Sequence, residues 1–334
     1  MDAIKKPRVF ITQPVAQSAI ERLKLVADVE CNPDAKHVLG KDALCAAVSK
    51  SDILFCLLHD RVDADVIGAN PNLKMIASMK ITPSDIDVEL ANARKIPITV
   101  IPPIVTEATA DICLALILSV ARRVTEGDLL VRKGYFPGAQ SSFLEGSMVS
   151  GKVIGLVGGG GQIGRAVARR ARGFGMKVLY WGPRRISESD ENEAGLTYVS
   201  LEQLLAQSDF VSLHTPLKPE TRHQIGVTQL NLMKPTAFLI NTARGGIVDE
   251  DALIDALQNK KIAGAGLDVF ENEPYINKSF FSLSNMVLTP HLGSAVAELR
   301  EKMAHVVVDN ILAVLNGAQA PNCWNKEIFS SGNQ

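Results

Sequence analysis

The sequence predicts an α/β protein, with parallel sheets covered by helices on both faces, in about two domains. Three observations carry this. Short apolar runs alternate with amphipathic stretches of helical length. The 334 residues are about twice what a domain of roughly 150 holds. One apolar run leads into four consecutive glycines and then into a helical pattern.

Taken in order, residues 9–11, 53–57 and 74–76 read as buried strands near the start. Further strands are expected at 153–157, 177–180, 210–213, 238–240, 266–269 and 286–288. Helical patterns lie at 163–174, 201–207, 249–258 and 297–315, and a largely apolar helix is expected from Thr106 to about Arg132. Residues 134–151 are rich in Gly and Ser, carry Pro137 and lack helical periodicity. They read as a long ordered loop ahead of a new domain.

Composition excludes several classes. Thirty-five basic and thirty-six acidic side chains leave a formal charge of −1, so nothing marks nucleic acid or an anionic membrane as a partner. No run reaches the roughly 18 apolar residues of a membrane span. The longest candidate, 112–121, stops at Asp111 and at Arg122 and Arg123. Residues 1–8 are charged and lack the apolar core of a signal peptide. The five cysteines are scattered without metal-ligand spacing; they read as reduced thiols in a cytoplasmic protein, with no metal site expected.

After the strand at 153–157, Gly159, Gly161 and Gly164 fit G-x-G-x-x-G. The glycines serve a tight turn, close approach to a pyrophosphate, and close packing of helix on strand. The helix N-terminus then offers free N–H groups, so Gly159, Gly161, Gln162, Ile163 and Gly164 form the expected phosphate cradle. The run Gly158 to Gly161 leaves the phase open, with room for one extra residue in the turn. About 20 residues on, an NAD site places an acid on the ribose 2′-hydroxyl. Gly182 stands there instead, followed by Arg184 and Arg185. Guanidiniums attract a 2′-phosphate that an acid would repel, so NADP(H) is expected in preference to NAD(H).

Three segments place polar residues just past a predicted strand, where open parallel sheets bind ligands. They are Asn241-Thr242-Ala243-Arg244-Gly245-Gly246, Leu267-Asp268-Val269-Phe270-Glu271-Asn272-Glu273-Pro274 and Thr289-Pro290-His291-Leu292-Gly293-Ser294. Arg, Glu and His suit hydride transfer to a 2-oxo acid. A guanidinium clamps the carboxylate, an imidazole exchanges a proton with the carbonyl oxygen, and a carboxylate orients the imidazole.

With the glycine loop and His214-Thr215-Pro216-Leu217, these segments resemble the D-isomer-specific 2-hydroxyacid dehydrogenase family, over residues 9 to 320. The resemblance implies that Arg244 binds the substrate carboxylate, Glu273 supports the histidine and His291 is the acid/base. It implies that Asp268 holds the nicotinamide carboxamide and that Thr109 touches the cofactor. His214, Thr215, Pro216, Thr242, Ala243, Arg244, His291 and Gly293 would line the rest of the cofactor site. It further implies a Rossmann-type nucleotide domain, 103–291, inserted in a flavodoxin-like substrate domain, 1–102 plus 292–334. An arm at about 106–151 would pair two copies as a homodimer, and closure of the cleft would exclude water.

The chain departs from the family in its substrate loop. Where Gly-Val-Gly-Tyr-Asp is usual, it reads Lys80-Ile81-Thr82-Pro83-Ser84 within residues 79–87. Lys80 and Thr82 replace both glycines, and Pro83 cannot donate. Leu58, Lys80, Ile81 and Thr82 are the expected substrate contacts, with Lys80 either meeting an acidic group or pointing to solvent. Ala139 stands where some glyoxylate/hydroxypyruvate reductases bring a Trp on the arm. The resulting expectation is NADPH-dependent reduction of a 2-oxo acid to a D-2-hydroxy acid, with a glyoxylate- or hydroxypyruvate-like substrate. Two alternatives stand beside it. One is phosphite oxidation, whose family branch needs a loop lysine that aligns with Ile81 rather than Lys80. The other is a non-enzymatic dinucleotide-sensing protein like the co-repressors that resemble this family.

Overall fold

Val9, Phe10 and Ile11 are buried and make up most of the first strand, and the same apolar logic sets the rest of the sheet around it. The computed structural model describes residues 6–332. In chain order the elements begin with β1 (Arg8–Ile11), α1 (Gln17–Lys24), β2 (Asp28–Cys31), α2 (Lys41–Val48) and β3 (Ile53–Cys56). Next come α3 (Ala64–Gly68), β4 (Met75–Ser78), α4 (Val88–Ala93) and β5 (Ile98–Thr99). These strands pair in parallel in the order β2-β1-β3-β4-β5, a flavodoxin-like arrangement. β3 and β4 are buried along their whole length, which is why their sequences show no polar alternation.

The chain continues with α5 (Thr106–Ala121), α6 (Val124–Arg132), β6 (Val153–Val157), α7 (Gln162–Gly173), β7 (Lys177–Trp181), α8 (Glu188–Ala194) and β8 (Thr197–Tyr198). Then follow α9 (Leu201–Gln207), β9 (Phe210–Leu213), α10 (Val227–Leu232), β10 (Phe238–Asn241), α11 (Glu250–Gln258), β11 (Gly264–Leu267) and β12 (Met286–Leu288). Their parallel order is β12-β11-β10-β9-β6-β7-β8, the Rossmann order with one added edge strand. The order reverses between β6 and β9, so a crevice opens at the carboxyl ends of these two strands.

Last comes α12 (Ala297–Leu315), which packs against α1 and β4. The chain thus divides into two units: one runs to Ile104 and resumes at Val296, the other is Val105–Ala295. In the first unit, buried Asn325 stitches the two pieces together. Its Nδ2 donates to the Ile96 carbonyl (2.9 Å) and to Asn92 Oδ1 (2.7 Å), and its Oδ1 accepts from the Ile98 amide (2.8 Å).

Some elements differ from expectation. The single helix expected over 106–132 is two. Arg123 adopts a left-handed φ of 54°, and its guanidinium binds both oxygens of Glu126 at 2.8 Å. The Ser147 amide takes the Ala121 carbonyl (2.7 Å) at the end of α5. Gly146 lies too close to that carbonyl for any Cβ. The returning loop therefore ends α5 where sequence pattern alone would extend it. β2, β5 and β8 were not expected: β2 carries Asp28 and Glu30 on a partly exposed edge, and the other two have two residues each.

Candidate active site

Four glycines separate the end of β6 from the first turn of α7. Gly158 takes a left-handed φ of 86°, which L side chains rarely adopt. A Cβ there would also meet the His214 carbonyl oxygen at 2.7 Å, and one on Gly164 would lie 2.5 Å from Gly159 Cα. Gly159 and Gly164 are thus the pair that lets α7 pack on its strand, and Gly158 is the additional turn residue. Gly161 caps α7, whose first internally bonded amide is that of Arg165 (2.9 Å to the Gly161 carbonyl). The amides of Gln162, Ile163 and Gly164 have no intrahelical acceptor. His214 and Thr215 follow β9 across the crevice, and Thr242 follows β10. Both ring nitrogens of His214 and the Thr242 hydroxyl are buried with no hydrogen-bond partner among the described residues. Burial pushes the His214 imidazole down to about 4. Backbone room, free amides and orphaned polar atoms together fit a dinucleotide. Pro216 lies exposed beyond Thr215, its carbonyl accepting from Thr221 Oγ1 (2.7 Å).

The segment after β7 holds the two arginines differently. Arg185 binds Glu191 through two 2.7 Å hydrogen bonds, and the Tyr180 hydroxyl donates to the same carboxylate (2.6 Å). The Arg185 guanidinium and the Tyr180 hydroxyl hold the nearly buried Glu191 down to about 2. Arg184 is exposed and makes no hydrogen bond or ion pair among the described residues. Gly182 follows Trp181 directly, and its carbonyl accepts from the Tyr198 hydroxyl (3.3 Å).

Asn241, the last residue of β10, shapes the turn that carries Arg244. Its Nδ2 donates to the Arg244 carbonyl (2.9 Å), and its Oδ1 accepts from the Ala243 amide (3.0 Å). Arg244 itself is exposed, and among the described residues its guanidinium donates only to the neighbouring Ala243 carbonyl in its own turn (2.6 Å). Past β11, Asp268 is buried, and it anchors the segment that follows β12. Its Oδ1 accepts from Thr289 Oγ1 (2.6 Å) and the Leu292 amide (2.7 Å), and its Oδ2 from the Gly293 amide (2.9 Å). His291 sits inside this loop with a left-handed φ of 56°, and its amide donates to the Asp268 carbonyl (2.9 Å). A β-branched-free but non-glycine residue held there marks a position fixed by its surroundings. His291 Nδ1 meets Glu273 Oε2 at 2.7 Å, and Glu273 Oε1 accepts from the Phe270 amide (2.9 Å). Thr109, buried on α5, donates to the Val105 carbonyl (2.9 Å) and to the Gly293 carbonyl (3.3 Å). The second unit therefore brings together the His–Glu pair expected from the sequence. It also shows supports that the sequence did not reveal: Asn241, and Glu250, whose Oε1 accepts from the Glu271 amide (2.8 Å).

In the first unit, Leu58 follows β3 and is half-buried. Ile81 and Thr82 make no backbone amide hydrogen bond among the described residues. Lys80 does not point to solvent. Only 5% exposed, its Nζ donates to Asp85 Oδ2 (2.7 Å) and to the Asp60 carbonyl (3.1 Å).

Residues 114–293 match the NAD-binding domain of the D-isomer-specific 2-hydroxyacid dehydrogenases. The chain belongs to that family. It is 44% identical to the glyoxylate reductase of Thermococcus litoralis over 330 residues, 98% of this chain and 99% of the relative. Among solved structures, the TT0316 protein of Thermus thermophilus aligns with a TM-score of 0.86 at 41% identity, covering 95% of this chain and 99% of that one. An NADPH-dependent glyoxylate/hydroxypyruvate reductase from Sinorhizobium meliloti, in complex with citrate, aligns at 0.77 and 30%, covering 95% and 97%. As a 2-hydroxyacid dehydrogenase by family, the chain is an oxidoreductase with a nicotinamide dinucleotide as cofactor. No helix of the described residues is long and apolar enough to cross a membrane.

Proposed function

We propose that this protein reduces small 2-oxo acids, of glyoxylate or hydroxypyruvate size, to D-2-hydroxy acids with NADPH. The observation that carries the chemistry is the 2.7 Å contact between His291 Nδ1 and Glu273 in the same unit as the dinucleotide crevice. The reading is supported by relatives described as glyoxylate reductases and by a solved neighbour described as NADPH-dependent. Bound NADPH supplies the hydride. With Nδ1 committed to Glu273, His291 gives a proton to the substrate carbonyl oxygen through Nε2 as the hydride reaches carbon. Glu273 fixes the ring and stabilises the imidazolium that the reaction consumes. The Arg244 guanidinium, always charged, binds the substrate carboxylate and polarises the carbonyl. In the first unit, the Ile81 and Thr82 amides can donate to a carboxylate, and Leu58 adds apolar surface.

The glycine turn and the amides of Gln162, Ile163 and Gly164 would hold the pyrophosphate, with the region of Thr109, His214 to Pro216, Thr242, Ala243, Asp268 and Gly293 taking the remainder. Arg184, which has no hydrogen-bond or ion-pair partner among the described residues, is read as the 2′-phosphate ligand, while Arg185 shapes the segment from its pair with Glu191. We read the protein as a cytoplasmic homodimer formed through the 106–151 arm. No residue of α6 is buried, and Val124, Leu129, Val131, Tyr135 and Phe136 are exposed around it.

Nicotinamide absorbance tests the reaction directly. Oxidation of NADPH on adding glyoxylate, hydroxypyruvate or pyruvate is the expected result. Reduction of NADP+ by phosphite with no response to the oxo acids would replace this reading. Silence with both, alongside tight NADPH binding, would point to a dinucleotide sensor.

A further inference from the structure

Lys80 and Asp85 lie on the loop after β4, and Asp60 lies on the loop after β3. The three meet in one cluster in which Asp60 and Lys80 are buried and the Asp85 carboxylate reaches solvent. Two of the three Lys80 ammonium donors are used, on the Asp85 carboxylate and the Asp60 carbonyl. Ser84 Oγ donates to the same Asp85 oxygen (3.1 Å). Asp60, 1% exposed, accepts through Oδ2 from the Leu57 amide (2.6 Å) and from Thr12 Oγ1, while its Oδ1 has no partner among the described residues. Burial pushes the Asp60 carboxyl up.

The cluster carries no net positive charge in either state of Asp60. The cluster holds one ammonium and two carboxyl groups, so it is neutral when Asp60 is protonated and negative when it is ionised. It is never positive, although a lysine stands where the family has a small residue. The ammonium also joins the β3 loop to the β4 loop, which makes it a strut between two segments.

We propose that Lys80 is a positioning residue and not a ligand for the substrate, and that the Asp60–Lys80–Asp85 cluster selects 2-oxo acids carrying a single negative charge. This rests on the reading of residues 79–87 as the substrate loop. A second carboxylate or a phosphate on the substrate would meet a neutral or negative surface, where like charges repel and the cluster's one ammonium is already paired. Glyoxylate, pyruvate and hydroxypyruvate satisfy the rule. Oxaloacetate and 2-oxoglutarate do not.

The experiment compares kcat/KM for glyoxylate and for oxaloacetate, with NADPH, in wild type, Asp85→Asn, Lys80→Met and the double variant. Asp85→Asn raises the oxaloacetate-to-glyoxylate ratio by about tenfold, the worth of one charge-assisted contact. The double variant keeps the cluster's original net charge and leaves no unpaired ammonium. It therefore folds even where Asp85→Asn does not, retains glyoxylate turnover and keeps the wild-type ratio within about threefold. An unchanged ratio in folded Asp85→Asn would overturn the proposal. So would loss of glyoxylate turnover in the double variant, which would make the ammonium a direct ligand. A wild type that reduces no 2-oxo acid would sink the functional reading instead. Calorimetric titration of oxalate then decides the charge argument: tighter binding to Asp85→Asn than to wild type supports it, and equal binding refutes it.

Discussion

Gly245 packs against the peptide joining Phe270 to Glu271 so closely that a Cβ on it would overlap the Phe270 carbonyl carbon and oxygen and the Glu271 nitrogen. The turn that presents Arg244 and the segment that presents Glu273 are therefore held backbone to backbone. Gly245→Ala must separate them. Overpacking of this kind costs about 1–3 kcal/mol, and a small displacement of reacting groups costs turnover out of proportion. The expected result is a lower thermal midpoint together with a kcat reduced more than tenfold, measured on the same preparation. An alanine variant with wild-type kcat would show that the two segments move independently.

Glu273 and His291 make a sharper pair. Removing the proton donor costs about 10²–10⁴-fold in turnover. His291→Ala should lose at least that much while NADPH still quenches intrinsic fluorescence with near wild-type affinity. Glu273→Gln keeps the shape of the contact but not its charge, and should lose a smaller part of kcat with little change in KM. Full activity in either variant would remove that residue from the mechanism.

The two arginines after β7 should separate by function. Arg184→Ala weakens NADPH by about ten- to a hundredfold, the range of a hydrogen bond to a charged group, and leaves NADH unchanged. Arg185→Ala leaves the carboxylate of Glu191 with the Tyr180 hydroxyl alone, so it lowers thermal stability first and cofactor preference second. Titration of both nucleotides into both variants checks the order, and equal effects of Arg184→Ala on NADPH and NADH would reject the 2′-phosphate role.

Two acid-sensitive groups in the second unit should act in successive windows that overlap only between about pH 4.5 and 4. His214 is held neutral by burial, with its imidazole down at about 4 against an ordinary 6.5. The unfolded chain takes up that proton first, so the stability is complete above pH 6.5 and is lost as pH falls towards 4. Glu191 is held at about 2 against an ordinary 4.5, so its contribution is complete above 4.5 and is lost as pH falls towards 2. Thermal midpoints recorded against pH should flatten between 6.5 and 4 in His214→Asn, and below 4.5 in Glu191→Gln. The same slope in variant and wild type would refute the assignment.

The strands that carry the site were legible because a parallel sheet buries them on both faces. Val153–Val157 and Phe238–Asn241 show up as apolar runs whatever surrounds them, with the glycines and Arg244 at their carboxyl ends, and Asp268 and His291 follow β11 and β12 in the same way. What stayed hidden depends on tertiary partners. Nothing in the sequence shows that Asp268 holds Thr289, Leu292 and Gly293, or that Arg185 is bound by Glu191. Lys80 has the composition of a surface residue and the position of a buried one, since its counter-charge comes from Asp85 and its second acceptor from Asp60. The break at Arg123 was equally invisible, because the amide that ends α5 belongs to Ser147.

The stitch made by Asn325 also sets an order of events during synthesis. Val105–Ala295 is one uninterrupted stretch and can fold as soon as it has left the ribosome. The first unit cannot, although its strands are made first. The amide of Ile98 and the carbonyl of Ile96 are completed by a side chain more than two hundred residues later, and α12 arrives only shortly before it. β1 to β5 must therefore wait, with apolar faces uncovered, until the nucleotide unit is finished. The part of the chain translated first is the part that matures last, and a nascent-chain chaperone would find its client there.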